Sequence, residues 1–165
     1  MTDARGREVI LRRGNAILAA RMAPWVLLLP ALKRLLPLPR LARLMWIDPR
    51  SSRPSQAQDV FALSGSLTRL LRIRSSSNCL ERSLLAYRYL AAAGCDPELV
   101  IGVARPNDAE IQGHAWIELR GRPVREPDDV DRFIRVVGFG TRGQSQVEDP
   151  ATELPAPSHI HDQGQ

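Results

Sequence analysis

An α+β fold with a small, mostly antiparallel sheet is predicted by three observations. Helical spacing dominates the chain up to Gly94, Val- and Ile-rich runs of strand length follow it, and a capped helix, NCLERSLLAYRYLAAAG (78–94), marks the junction. At 165 residues and 44% hydrophobic content, the chain is long enough for one domain with its own core and some extensions.

The first element is AILAARMAPWVLLLPALKRLLPLPRLARLMW, residues 16 to 46. Arg21 and Lys33 interrupt it, as do Pro24, Pro30, Pro37 and Pro39, so no run approaches the roughly 20 uninterrupted apolar residues of a membrane span. Short helical pieces with basic faces are expected instead, lying on a protein groove or, as the weaker alternative, on a membrane surface. DPRSSRP (48–54) is a turn-rich break. AQDVFALSGSLTRLLRI (57–73) follows with Val60, Phe61, Leu63, Leu67, Leu70 and Leu71 at helical spacing. Beyond Gly94, PELVIGVAR, GHAWIELRGRPV and DRFIRVVGFG read as strands. After Gly140 the composition turns to Pro, Gln and Ser without apolar periodicity, as in a disordered tail. The organisation is therefore a basic Leu/Pro-rich helical region over 1–55, a core over 56–140 and a tail over 141–165.

The net charge of +5 is concentrated between Arg5 and Arg53, a distribution that belongs to a partner surface more readily than to a fold. Basic residues interleaved with exposed aromatics are missing, and nucleic acid is not an expected partner. Two cysteines, Cys79 and Cys95, give neither a disulfide framework nor a Cys-x-x-Cys pair, so a cytoplasmic location is expected.

Chemistry points to the start of the 78–94 helix. Asn78 is a favoured N-cap and Glu81 completes a capping-box pattern, while Gly94 supplies the stop. Cys79 is then the first helical residue, where unpaired N–H groups and the positive end of the helix dipole stabilise negative charge on a side chain. A buried structural thiol is the alternative role for a lone cysteine; Cys95, past the far end of the helix, fits that role. Of three histidines, His159 and His161 lie in the tail, which leaves His114 as the candidate base. In HAWIEL, Ala115, Ile117 and Leu119 alternate with His114, Trp116 and Glu118, so His114 and Trp116 share a face. A cysteine, then a histidine, then an acid is the nucleophile, base and orienter order of a papain-like site.

Hairpin register selects the acid. A three-residue loop Leu119-Arg120-Gly121 pairs Glu118 with Arg122 and sets His114 opposite Glu126. A two-residue Arg120-Gly121 loop turns Glu126 to the other face unless a bulge intervenes, and Asp128 and Asp129 become the contenders.

NCLERSLLAYRYLAAAGCDPELVIGV followed by GHAWIELRGRPV resembles the leader peptidases of lasso-peptide biosynthesis, a branch of the transglutaminase-like, papain-fold cysteine peptidases. The resemblance spans about residues 60 to 140, and its specificity lies in the joint occurrence of Cys-x-x-Arg-Ser-Leu and Gly-His-Ala-Trp. It implies a papain/transglutaminase-like core in which a nucleophile helix packs on a small antiparallel sheet. It also implies Cys79 as nucleophile and His114 as base. The family's acid is usually an aspartate; this chain carries Glu126 at the aligned place, one methylene longer.

The activity implied is hydrolysis of one peptide bond, which removes the leader from a ribosomally made precursor before a partner lasso cyclase closes the ring. The leader-recognition domain of such enzymes is either fused in front or encoded separately as a small winged-helix-like protein; the front region, lacking strand pattern, implies the separate form. No cofactor is implied. A Cys79, Cys95 and His114 zinc site is the only metal set the residues offer, and it falls short of four ligands. Two other readings stand beside the peptidase: transglutaminase-type acyl transfer to an amine on the same fold, and a non-catalytic adaptor that uses the basic front.

Overall fold

The structure, a computed structural model, describes residues 13–49, 56–71, 79–104, 110–124 and 130–146. Helical spacing in the front region persists through its prolines. A single helix, α1 (Arg13–Leu35), contains both Pro24 and Pro30, so the expected short pieces are one continuous element as far as Leu35, and the break comes at Pro37. Ala19, Met22, Val26 and Leu29 recur at three- and four-residue intervals and are buried. Pro24 lies on the exposed side together with Ala20, whose carbonyl loses its helical donor to the proline, so that water can take the donor's place. Over Asn15–Leu35 this helix is long and apolar enough to cross a membrane, with a mean hydropathy of 1.5. Its inner face nonetheless belongs to the protein core.

Pro37 caps α2 (Leu38–Met45) and Pro39 sits in its first turn, where a missing N–H costs nothing; Leu41, Ala42 and Met45 turn inward. In α3 (Ala57–Leu71), Val60, Leu63 and Leu67 are buried. The buried hydroxyls of the same helix are satisfied locally, Ser64 donating to the Phe61 carbonyl at 3.0 Å and Thr68 to the Ser64 carbonyl at 2.7 Å.

The central helix is α4 (Cys79–Ala92), in which Leu84, Leu85, Tyr87 and Leu90 are fully buried and Leu80 half-buried. It ends as the sequence requires. Gly94 has a φ of 78°, its N–H donates to the Ala91 carbonyl at 3.0 Å, and the Cys95 N–H reaches the Leu90 carbonyl at 3.0 Å. These are the two bonds of a Schellman stop.

Five antiparallel strands form one sheet in the order β3-β2-β1-β4-β5: β1 (Pro97–Ala104), β2 (Gln112–Leu119), β3 (Arg122–Pro123), β4 (Ile134–Phe139) and β5 (Ser145–Gln146). Leu99 pairs with Ile117 on one side and Phe139 on the other. These three buried side chains join Met22, Leu41, Leu63 and Leu84 in one hydrophobic core. The α+β class expected from the sequence is thus the observed one. Regular structure continues past Gly140 through a 3₁₀ turn (Thr141–Gly143) into β5, which corrects the expected start of the tail; residues 147–165 lie outside the described residues.

Polar contacts fasten α1 and α2 to α4. The Arg88 guanidinium stacks over Trp25 at 4.0 Å and donates to the Leu44 carbonyl at 3.1 Å, Tyr89 donates to the Arg21 carbonyl at 2.5 Å, and Lys33 Nζ pairs with Glu81 Oε1 at 2.6 Å.

Tyr87 ties α4 to the turn after β4: its hydroxyl donates to the Gly140 carbonyl and accepts the Gly143 N–H at 3.1 Å. Gly143, at φ +65°, brings that turn so close to α2 that a Cβ would stand 2.5 Å from the Arg43 nitrogen. Tyr87→Phe removes both bonds, while the Gly143 N–H keeps the Gly140 carbonyl at 3.0 Å, so the expected cost in denaturant unfolding is about 0.5–1.5 kcal/mol. Burial pushes the Tyr87 phenol up from 10.0 to about 12. Since the folded value lies above the unfolded one, this contribution is complete below pH 10 and is lost as pH rises toward 12. The wild type should therefore lose stability over that window faster than Tyr87→Phe.

Candidate active site

Cys79 is the first residue of α4 and is half-buried. Asn78, its expected cap, lies outside the described residues. Glu81, read from the sequence as the second member of a capping box, is fully buried and receives Lys33 from α1. That long-range pair had no sequence signal, because the partners lie on elements far apart in the chain.

His114 lies on β2 opposite Gly102 of β1. Its ring stacks on Trp116, with centroids 6.0 Å apart and planes 18° from parallel, as their shared face requires. Phe133 covers it as well, at a centroid distance of 4.9 Å. Trp116 is held in turn: its indole N–H donates to Glu118 Oε1 at 2.8 Å, Arg135 donates to Glu118 Oε2 at 3.2 Å, and the same guanidinium pairs with Glu98. The indole lies flat on Gly102, where a Cβ would approach its ring to 2.7 Å. A row of aromatic rings braced by a buried ion-pair network therefore restricts the His114 imidazole.

Cys79 and His114 line one cavity of about 370 Å³, between α3, the first turns of α4, and β2. One hydrogen bond fixes the spacing of the two elements: the buried Ser83 hydroxyl donates to the carbonyl of Ala115, the residue after His114, at 2.9 Å. Ser83 belongs to the Cys-x-x-Arg-Ser-Leu string, yet its task was invisible until the strand it grips was in place. Arg69 and Arg82 supply the fixed positive charge of the cavity wall, and its described lining includes no carboxylate.

The hairpin next to His114 departs from the expected three-residue loop. Arg120 and Gly121 have φ of 55° and 71°, Leu119 pairs with Arg122 and Glu118 with Pro123, and the Val124 N–H reaches the Ile117 carbonyl at 2.9 Å. This is a two-residue loop with consecutive left-handed residues, whose twist suits adjacent strands. It is the register for which Asp128 and Asp129, rather than Glu126, were the contenders for the orienting acid. Glu126, Asp128 and Asp129 all lie outside the described residues.

Cys95 stands apart from this cavity, past the end of α4. It packs against the core, and burial pushes its thiol up. A 14-residue helix separates it from Cys79, about 20 Å at 1.5 Å per residue, too far for the two thiols to share one metal ion. Among the described residues, no three His, Cys, Asp or Glu side chains cluster as metal ligands.

Comparison with curated proteins and with solved structures found no match. Residues 19–138 match the family described as the transglutaminase-like superfamily, whose enzymes are generally cysteine peptidases and acyl transferases. The match begins within α1 and ends in β4, so it takes in the helix that carries Cys79, the strand that carries His114 and the helices packed behind them. With the match spanning most of its length, the chain belongs to the transglutaminase-like superfamily.

Proposed function

We propose that the protein is a cysteine peptidase that cleaves one peptide bond in a ribosomally synthesised lasso-peptide precursor and so releases its leader. The supporting observation is the cavity shared by Cys79 and His114; the Cys-x-x-Arg-Ser-Leu and Gly-His-Ala-Trp strings narrow the reading to leader peptidases. In this scheme His114 takes the Cys79 thiol proton, and sulfur attacks the scissile carbonyl carbon. The Cys79 backbone N–H donates to the oxyanion. His114 then protonates the leaving amine, which is the new N-terminus of the core peptide, and water hydrolyses the thioester to free the leader.

The partners of this reading are the precursor's leader, a separate winged-helix-like recognition protein and the lasso cyclase, all in the cytoplasm. Residues 13–45 form two helices packed into the enzyme's own core, so the reading assigns leader recognition to the partner and not to them. Mass spectrometry of a candidate precursor incubated with the chain and the recognition protein tests the proposal. Leader and core peptides differing from the precursor by one added water support it. Leader captured on an added primary amine would assign acyl transfer instead, and an intact precursor would sink both. Tight leader binding by the chain alone would count against a separate recognition protein.

With the two-residue loop in place, Asp128→Asn or Asp129→Asn is expected to lower turnover by about 10³–10⁴-fold, as loss of an orienting carboxylate does. Glu126→Gln should stay close to wild type. The opposite ranking would mean that a bulge beyond Val124 returns Glu126 to the face of His114.

A further inference from the structure

We propose that the outer face of α1 docks on an anionic lipid surface, with the helix lying in the plane of the interface. The continuity of α1 through Pro24 and Pro30 carries the inference, because it aligns side chains that separate short helices would scatter. With Met22, Val26 and Leu29 buried in the core, the opposite face presents Ile17, Pro24, Leu27, Leu28, Ala31 and Leu35 to solvent. Leu27 and Leu28 are 64% and 52% exposed. The strip runs the length of a 23-residue helix, about 34 Å at 1.5 Å per residue.

The charges that α1 and α2 themselves carry have one sign. Arg21 and Arg34 flank the strip, and Arg40 and Arg43 are exposed on the neighbouring α2. No Asp or Glu occurs between Glu8 and Asp48. An apolar face on helices whose own charges are all cationic is the pattern of an element that binds at an anionic bilayer surface; Asp59 of α3, which accepts from Asn15, is the acid beside the Ile17 end of the strip. A protein partner fits less well, since protein interfaces are rich in aromatic side chains and carry roughly one hydrogen bond per 100–200 Å². Apart from its arginines, this strip offers no aromatic ring and no side-chain hydrogen-bonding group. Spanning the bilayer would require tearing Met22, Val26 and Leu29 out of the core, so the helix lies on the membrane rather than through it. The sequence ranked membrane contact as the weaker alternative because of the segment's charges and prolines; of these, Pro24 and Pro30 do not break the helix.

Co-sedimentation of the full chain with phosphatidylglycerol-containing vesicles and with pure phosphatidylcholine vesicles tests the proposal. The chain should pellet with the former and remain largely in solution with the latter, and added salt should weaken binding. Leu27→Ser/Leu28→Ser should lower the partition coefficient at least about tenfold, because both side chains lose their insertion into the apolar layer. Arg34→Gln/Arg40→Gln should weaken binding to anionic vesicles alone. Circular dichroism verifies that each variant is folded, and none of these residues lines the Cys79 cavity, so precursor cleavage in vesicle-free solution should be unchanged. The proposal is overturned if folded wild type stays in solution with anionic vesicles, or if the Leu27/Leu28 variant binds as wild type does. It also falls if wild type is a dimer that this variant converts to monomer, which would make a second copy the occupant.

Discussion

Cys79→Ala is expected to abolish precursor cleavage, with turnover down by at least about a thousandfold, while the thermal unfolding midpoint scarcely moves. The asymmetry follows from where the residue sits. As a half-buried residue at the first position of α4, it contributes little apolar burial, and alanine is the better helix former. In the proposed mechanism the sulfur is nevertheless the atom that forms the acyl-enzyme, and Cys95 is badly placed to take over, since it packs against the core beyond the opposite end of the helix. Cys95→Ala should retain activity. Single-turnover assays of both variants, read with their melting curves, check the assignment; an inactive Cys95→Ala beside an active Cys79→Ala would transfer the nucleophile to the wrong end of α4. Alkylation of Cys79 separates enzyme from adaptor, because it should stop turnover while an adaptor would keep its binding.

His114→Ala carries the second large effect, again about a thousandfold or more in turnover. Losing the imidazole also removes a ring stacked on Phe133 and Trp116, so a fall in rate alone would not separate chemistry from packing. The double variant does. Groups that act as one unit lose activity non-additively, so Cys79→Ala/His114→Ala should be no slower than Cys79→Ala, with leader binding in the presence of the recognition protein preserved throughout. Near-normal turnover in His114→Ala would remove this residue from the mechanism.

Elements whose signals are local were legible from the sequence. The end of α4 follows from Gly94, the only residue type that takes its φ of 78° without strain. The three long strands follow from Val and Ile runs, and Cys79 and His114 from their positions on a helix start and a strand. What stayed hidden depended on tertiary context. Pro24 and Pro30 read as breaks because their cost is intrinsic, whereas the burial of Met22, Val26 and Leu29 that holds the helix together is set by α3 and α4. The hairpin was ambiguous because Arg120-Gly121 lacks the Asn or Asp that announces a two-residue turn, and only strand pairing shows that Arg120 takes a φ of 55°. β5 escaped notice since two residues, Ser145 and Gln146, have no periodicity to read.

The Lys33–Glu81 pair has a mechanical meaning. Glu81 is wholly buried two residues after Cys79, and its cation is supplied from α1. A fragment beginning at residue 56 would keep the acid and lose Lys33, a cation that offsets the cost of burying it. Sliding α1 by a single helical rise, about 1.5 Å, would lengthen the 2.6 Å contact unless the lysine side chain followed it. The helix is therefore a strut as well as a surface, its inner side fastened to the turn of α4 that begins with Cys79.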